Sequence, residues 1–145
     1  MDELKHLRPG GTGYPRRLDA GLLDTFANPR PGRPYTVRFE TAEVTSLCPV
    51  TGQPDFYRVT VEYAPAARCL ESKSLKLYLF SFRDTGIFAE DLANRMLDDL
   101  GGACAPAWMR VLCTMNPRGG VALEVAAVLG RRRGPAAGGV GGEAC

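Results

Sequence analysis

The chain reads as an α+β domain: a four-stranded antiparallel sheet with two helices on one face. Three observations predict this. Apolar residues alternate with polar ones in two early stretches, take a helical period in two central stretches, and alternate again in two late ones. The two late stretches are joined by Pro117-Arg118-Gly119-Gly120, a tight-turn sequence that makes them a hairpin. Strands and helices come in blocks instead of alternating singly, which is the pattern of segregated layers.

Residues 1–33 are rich in Gly, Pro and Arg and read as an extended leader, with a short helix over 18–26. Tyr35, Val37 and Phe39 then alternate with Thr36, Arg38 and Glu40 as a half-buried strand. A loop over 46–55 follows. Tyr57, Val59, Val61 and Tyr63 alternate with Arg58, Thr60 and Glu62 as the second strand, which Pro65 ends. Over 71–83 the period becomes helical: Leu75, Leu79 and Phe82 share a face that Leu77, Tyr78 and Phe80 widen, and Gly86 stops the helix. A second helix over 88–100 sets Leu92, Met96, Leu97 and Leu100 opposite Asp91, Asn94, Arg95, Asp98 and Asp99, and Gly101-Gly102 is expected to end it. Met109, Val111 and Cys113 oppose Arg110 and Thr114 in the third strand, over 108–115. Val121, Leu123, Val125 and Ala127 mark the fourth. The expected domain is therefore 34–130. Residues 131–145, opening on three arginines, read as a solvated, disordered tail.

Length and composition narrow the function. A chain of 145 residues with 45% apolar and 23% charged residues suits one modest core. A net charge of +2 gives no general attraction to nucleic acid or membranes. No apolar run reaches the ~20 residues of a membrane span. Residues 1–15 are polar and carry no apolar stretch after a basic start, so no signal peptide is expected. Cys48, Cys69, Cys104, Cys113 and Cys145 are odd in number and irregularly spaced, with no C-x-x-C pair. That argues against a zinc site or a disulfide framework and for reduced thiols in the cytoplasm. His6 is the only histidine, and it lies in the leader. Cys-His and Ser-His-Asp machinery is thereby made improbable, and most first-row metal sites are weakened. Chemistry falls to Cys, Asp, Glu, Lys, Ser and Arg.

Four places offer such groups. Cys48 and Asp55 flank the 46–55 loop, where a thiol and a carboxyl group can meet across a small cleft. The thiol suits a nucleophile and the aspartate an acid, because burial disfavours a charged carboxylate. The plainer roles are a packed cysteine and a turn-capping aspartate. Glu71-Ser72-Lys73-Ser74-Leu75-Lys76 opens the first helix, where free N–H groups, hydroxyls and ammonium groups can hold a phosphate. It suits equally a simple capped helix start with two solvated lysines. Glu90 stands in the first turn of the second helix, an ordinary place for an acid, yet its carboxylate can accept a pair of N–H bonds from a guanine-like edge. Arg118 can clamp an anion beside Gly119, or merely serve the hairpin.

These residues carry a resemblance. Ser46-Leu47-Cys48-Pro49 through Gln53-Pro54-Asp55-Phe56, then Glu71 to Tyr78 and Pro117 to Gly120, resemble the NADPH-dependent nitrile reductases of queuosine biosynthesis, the QueF family. Those enzymes reduce 7-cyano-7-deazaguanine to 7-aminomethyl-7-deazaguanine. The match runs from about residue 26 to 129, at the length of the short, single-module form. The resemblance implies the tunnelling fold, whose subunits join sheets into homo-oligomeric barrels with active sites at their interfaces. It implies that Cys48 forms a thioimide with the nitrile carbon and Asp55 protonates the nitrogen. Leu70, Glu71, Ser72, Ala89 and Glu90 would line the substrate site. Ser72, Lys73, Arg118 and Gly119 would hold NADPH, two per turnover, with no metal and no direct contact to nucleic acid. One departure stands out: family members typically carry histidine before the purine-binding glutamate, and here that residue is Ala89. Two other outcomes stand beside the reductase, the first motivated by Ala89. One is an inactive or weak deazapurine-binding homologue. The other is a thioimide-forming amidinotransferase acting on tRNA, a group that lacks the Glu-Ser-Lys-Ser-type motif.

Overall fold

The computed structural model describes Leu4, Leu7 and residues 13–132. His6, Cys145 and the tail from 133 onward, with its expected disorder, lie outside the described residues. The elements are β1 (Thr25–Ala27), β2 (Val37–Leu47), β3 (Pro54–Ala64), β4 (Arg68–Leu70), α1 (Ser72–Phe80), α2 (Ala89–Cys104), β5 (Trp108–Arg118) and β6 (Val121–Gly130). Four strands form an antiparallel sheet in the order β2-β3-β5-β6. The alternation read from the sequence is the cause. On β3, Tyr57, Val59, Val61 and Tyr63 are buried beneath the helices, while Arg58 faces solvent. Met109, Val111 and Cys113 of β5 and Ala127 of β6 continue that face.

Helix α2 lays Leu92, Met96, Leu97, Leu100 and Cys104 on the sheet, with at least one side chain per turn. It does not end at Gly101-Gly102. The helix runs to Cys104, and Ala105 closes it in the left-handed region at φ 44°. Gly101 has a packing role: a Cβ there would lie 2.8 Å from Leu129 Cδ2, so a glycine lets α2 sit this close to β6 without displacing that side chain. Helix α1 is shorter than the 71–83 expected. Its last turn tightens to i→i+3 bonds, Phe82 N–H to Leu79 O at 3.4 Å and Arg83 N–H to Phe80 O at 3.2 Å, while Phe82 remains in the core. The Tyr78 hydroxyl donates to Asp99 Oδ2 at 2.8 Å and ties α1 to α2.

The segment read as an extended leader contributes structure. A 3-10 turn at Ala20–Leu22 replaces the longer helix expected over 18–26, and β1 pairs antiparallel with β4. Both strands are three residues long, too short for alternation to reveal. Strand β2 also extends past Glu40 to Leu47, through a bulge between Thr41 and Val44. The extra residue reverses which side chains face inward: Val37 and Phe39 before it, Val44 and Ser46 after it.

Candidate active site

Cys48 stands at the mouth of the hairpin loop between β2 and β3. Ser46 pairs with Asp55 and Leu47 with Pro54, so the thiol and the carboxyl group leave the sheet from its end as neighbours. The Cys48 N–H donates to Gln53 O at 2.8 Å, and the Gly52 N–H donates to Cys48 O at 2.9 Å. These bonds close the loop, with the thiol half-buried. The Thr51 hydroxyl, then the N–H groups of Thr51 and Val50, hold the thiol below its ordinary range, against partial burial and the Asp55 charge.

Asp55 is buried at 4% exposure, and Arg118 Nη1 approaches its Oδ1 at 2.9 Å. The contact is an ion pair lacking the angles of a full hydrogen bond, because Oδ1 makes none. Arg118 reaches it from the β5–β6 hairpin, whose turn residues Gly119 and Gly120 have φ of 56° and 78°. That is the two-residue turn in which both positions favour glycine. Leu47 is strapped to the segment before α2, with its N–H on Thr85 O at 2.9 Å and the Ile87 N–H on its own carbonyl at 3.0 Å. The strap brings the start of α2 to the Cys48 end. There Glu90 is exposed and Ala89 is buried in the apolar core.

The other expected residues lie at the opposite end of β3. The Leu70 N–H donates to the Tyr63 hydroxyl at 2.8 Å, and Tyr63 is eight residues from Asp55 on β3, roughly 27 Å at ~3.4 Å per residue. Glu71 caps α1: its carboxylate accepts from the N–H groups of Lys73 and Ser74, both at 2.7 Å. Those two donors are thus not free for a phosphate. The half-buried Lys73 side chain remains, with the exposed Ser72 hydroxyl, which donates to Glu71 Oε1 at a long 3.5 Å. Leu70, Glu71 and Ser72 border a cleft of about 560 Å³ with Tyr35 and Phe39. One chain therefore brings Cys48, Asp55, Glu90, Arg118 and Gly119 together at one end, and Leu70, Glu71, Ser72 and Lys73 at the other. Among the described residues no three His, Cys, Asp or Glu side chains converge to hold a metal ion. No helix among them is long and apolar enough to cross a membrane.

Comparison with known proteins places this architecture. Residues 54–133 match the family model described as QueF-like protein. The NADPH-dependent 7-cyano-7-deazaguanine reductase of Anaeromyxobacter dehalogenans (strain 2CP-C) is 52% identical over 110 residues, covering 76% of this chain and 90% of that protein. The chain belongs to the QueF-like family. The identically named protein of Nitrosococcus oceani is 52% identical over 105 residues, covering 72% of this chain and 81% of the relative. That of Nitratidesulfovibrio vulgaris (strain DP4) is 48% identical over 127 residues, covering 86% and 77%. The crystal structure of the archaeosine synthase QueF-Like in the apo form superposes with a TM-score of 0.64 at 31% identity, covering 70% of this chain and 99% of that one. The fold is the tunnelling fold.

Three residues of this QueF-like chain were read in the sequence only as turn, motif or strand residues. Thr51 acts on the thiol, and its position three after Cys48 in a turn is a signal that could have found it. Ser46 and Tyr57 face Asp55 from within the sheet, and the bulge in β2 concealed the first of them.

Proposed function

We propose that this chain is an NADPH-dependent nitrile reductase that converts 7-cyano-7-deazaguanine to 7-aminomethyl-7-deazaguanine in queuosine biosynthesis. The observation that carries the reading is an activated thiol, Cys48, set beside a buried carboxyl group, Asp55, in a chain about half identical to reductases of that name. A nitrile carbon is a weak electrophile that a thiolate attacks readily. The Cys48 Sγ–carbon bond forms as one π pair of the nitrile moves to nitrogen, while Asp55 takes the proton of the Cys48 thiol and passes it to that nitrogen. The result is a thioimide. Arg118, at 2.9 Å, balances the carboxylate left behind. Glu90 offers a carboxylate to the N–H groups of a guanine-like edge, and Glu71, whose oxygens already cap α1, lines the site.

The donor set suits an anionic cofactor. The exposed Ser72 hydroxyl and the Lys73 ammonium group from one end, with Arg118 and Gly119 from the other, would hold NADPH. NADPH supplies hydride, twice for a nitrile-to-amine reduction. These residues are divided between the two ends of β3, and β2 and β6 are sheet edges within the chain. Both features support a homo-oligomer in which the Cys48 end of one copy meets the Glu71 end of another. Direct nucleic-acid contact is not part of the reading, and the cytoplasm is its compartment.

The test is NADPH oxidation with 7-cyano-7-deazaguanine, followed by product mass. An amine with two NADPH consumed is expected. Likeness to an archaeosine synthase favours a second reading, addition of ammonia to give an amidine, and the same product mass decides between them. Tight binding with neither adduct nor NADPH oxidation would leave a deazapurine-binding homologue, the outcome that Ala89 raises.

A further inference from the structure

Four buried side-chain polar atoms make no hydrogen bond among the described residues, and three of them lie together: Ser46 Oγ, Asp55 Oδ1 and Tyr57 OH. Ser46 is opposite Asp55 across the strand pair, and Tyr57 is two residues on from Asp55, on the same inward face of β3. Exposure is 0% for Ser46, 4% for Asp55 and 1% for Tyr57. Buried polar atoms without partners are rare, and a catalytic role is one of the few reasons for them. Here the two hydroxyls share the inward face of the strand pair with the proposed acid, whose Oδ1 has only the Arg118 ion pair from the hairpin. Ala89, the nearby start of α2, contributes only a methyl group.

We propose that Tyr57 and Ser46 are positioning residues for Asp55, their hydroxyls placed to donate to the carboxylate that forms when Asp55 gives its proton to the substrate nitrogen. This rests on the nitrile-reductase reading. The proton passes from Asp55 to nitrogen, the π pair goes to the new N–H bond, and the carboxylate left behind gains hydrogen bonds from hydroxyls that otherwise lack them. No electron moves through Tyr57 or Ser46. The groups facing this cluster are Arg118 and Cys113 from β5, Glu90 from α2 and Cys48 from the loop. Burial first holds the Tyr57 hydroxyl protonated; the Ser46 hydroxyl, next in size, pulls the other way, and Asp55, Cys113 and Glu90 add smaller upward pushes. The Tyr57 hydroxyl therefore remains a donor across the neutral range.

The experiment measures thioimide formation by rapid-quench intact mass spectrometry with 7-cyano-7-deazaguanine, without NADPH, in wild type, Tyr57→Phe, Ser46→Ala and Ser46→Thr. Substrate affinity, melting temperature and iodoacetamide alkylation of Cys48 are followed alongside. Tyr57→Phe and Ser46→Ala are each expected to slow adduct formation about tenfold, the effect of one lost hydrogen bond to a charge. Affinity, melting temperature and Cys48 alkylation stay as in wild type, and Ser46→Thr restores most of the rate. Wild-type rates in both variants, or losses that track affinity or Cys48 alkylation, overturn the proposal. A wild-type protein that alkylates at Cys48 yet forms no adduct overturns the nitrile-reductase reading instead.

Discussion

The Cys48 thiol is held below its ordinary range by two of the three residues after it. The Thr51 hydroxyl and the N–H groups of Thr51 and Val50 surround its sulfur, so the thiolate is populated below the pH at which a free cysteine ionises. Thr51→Val removes the largest of these contributions. The midpoint of Cys48 alkylation by iodoacetamide, followed against pH, should then move upward. Cys104 and Cys113 behave oppositely, because burial pushes both up to about 12. They stay unmodified while Cys48 reacts. Their folded values exceed the ordinary thiol value of 9.0, so the unfolded chain loses these protons first. Stability linked to them is complete below pH 9 and fades as pH rises toward 12, which denaturant titration across that window checks. At this scale the sequence was legible where a function needs only neighbours. Cys48 and Asp55 belong to one short loop, and a chain with a single histidine has little room for Cys-His or Ser-His-Asp chemistry. Arg118 was read as a candidate anion clamp and not as the partner of Asp55, since that contact joins residues far apart in the chain.

Elements carry the site because their ends are specified. The bulge in β2 turns Ser46 inward opposite Asp55, and simple alternation after Glu40 would have turned it out. A register change breaks a period-two count, and for that reason the strand pattern in the sequence stops at Glu40. The start of α1 was legible, since an acid before Ser-Lys-Ser is a capping pattern. Glu71 indeed occupies the Lys73 and Ser74 N–H groups. The end of α2 was not legible, because two glycines usually stop a helix. Here Gly101 serves the contact with Leu129, and the stop falls at Ala105. Ala105 at φ 44° holds a conformation that suits glycine, so Ala105→Gly should stabilise the protein by about 1 kcal/mol in urea unfolding. Tyr78→Phe removes the bond that joins α1 to Asp99 of α2 and should cost about 1–2 kcal/mol in the same measurement.

The whole molecule sets the residues of the proposed site toward two ends of its sheet. The order of strands and helices, and so the fold, was legible from periodicity. The separation of Asp55 from Leu70 along β3 was not, because spacing in sequence says nothing of which end of a strand a later segment rejoins. This division makes a prediction about assembly. Cys48→Ala and Glu71→Ala should each be inactive alone, and mixing them through unfolding and refolding should restore up to about a quarter of activity by random pairing of intact halves, if sites form between copies. No recovery in a folded mixed oligomer would put the whole site within one chain. The most direct measurement of the central claim is intact-protein mass spectrometry after mixing with 7-cyano-7-deazaguanine, first without and then with NADPH. The account predicts a mass gain of one substrate located at Cys48, absent in Cys48→Ala, and lost on adding NADPH as the amine appears. A folded wild-type protein that gains no mass, or an adduct on another residue, would contradict it.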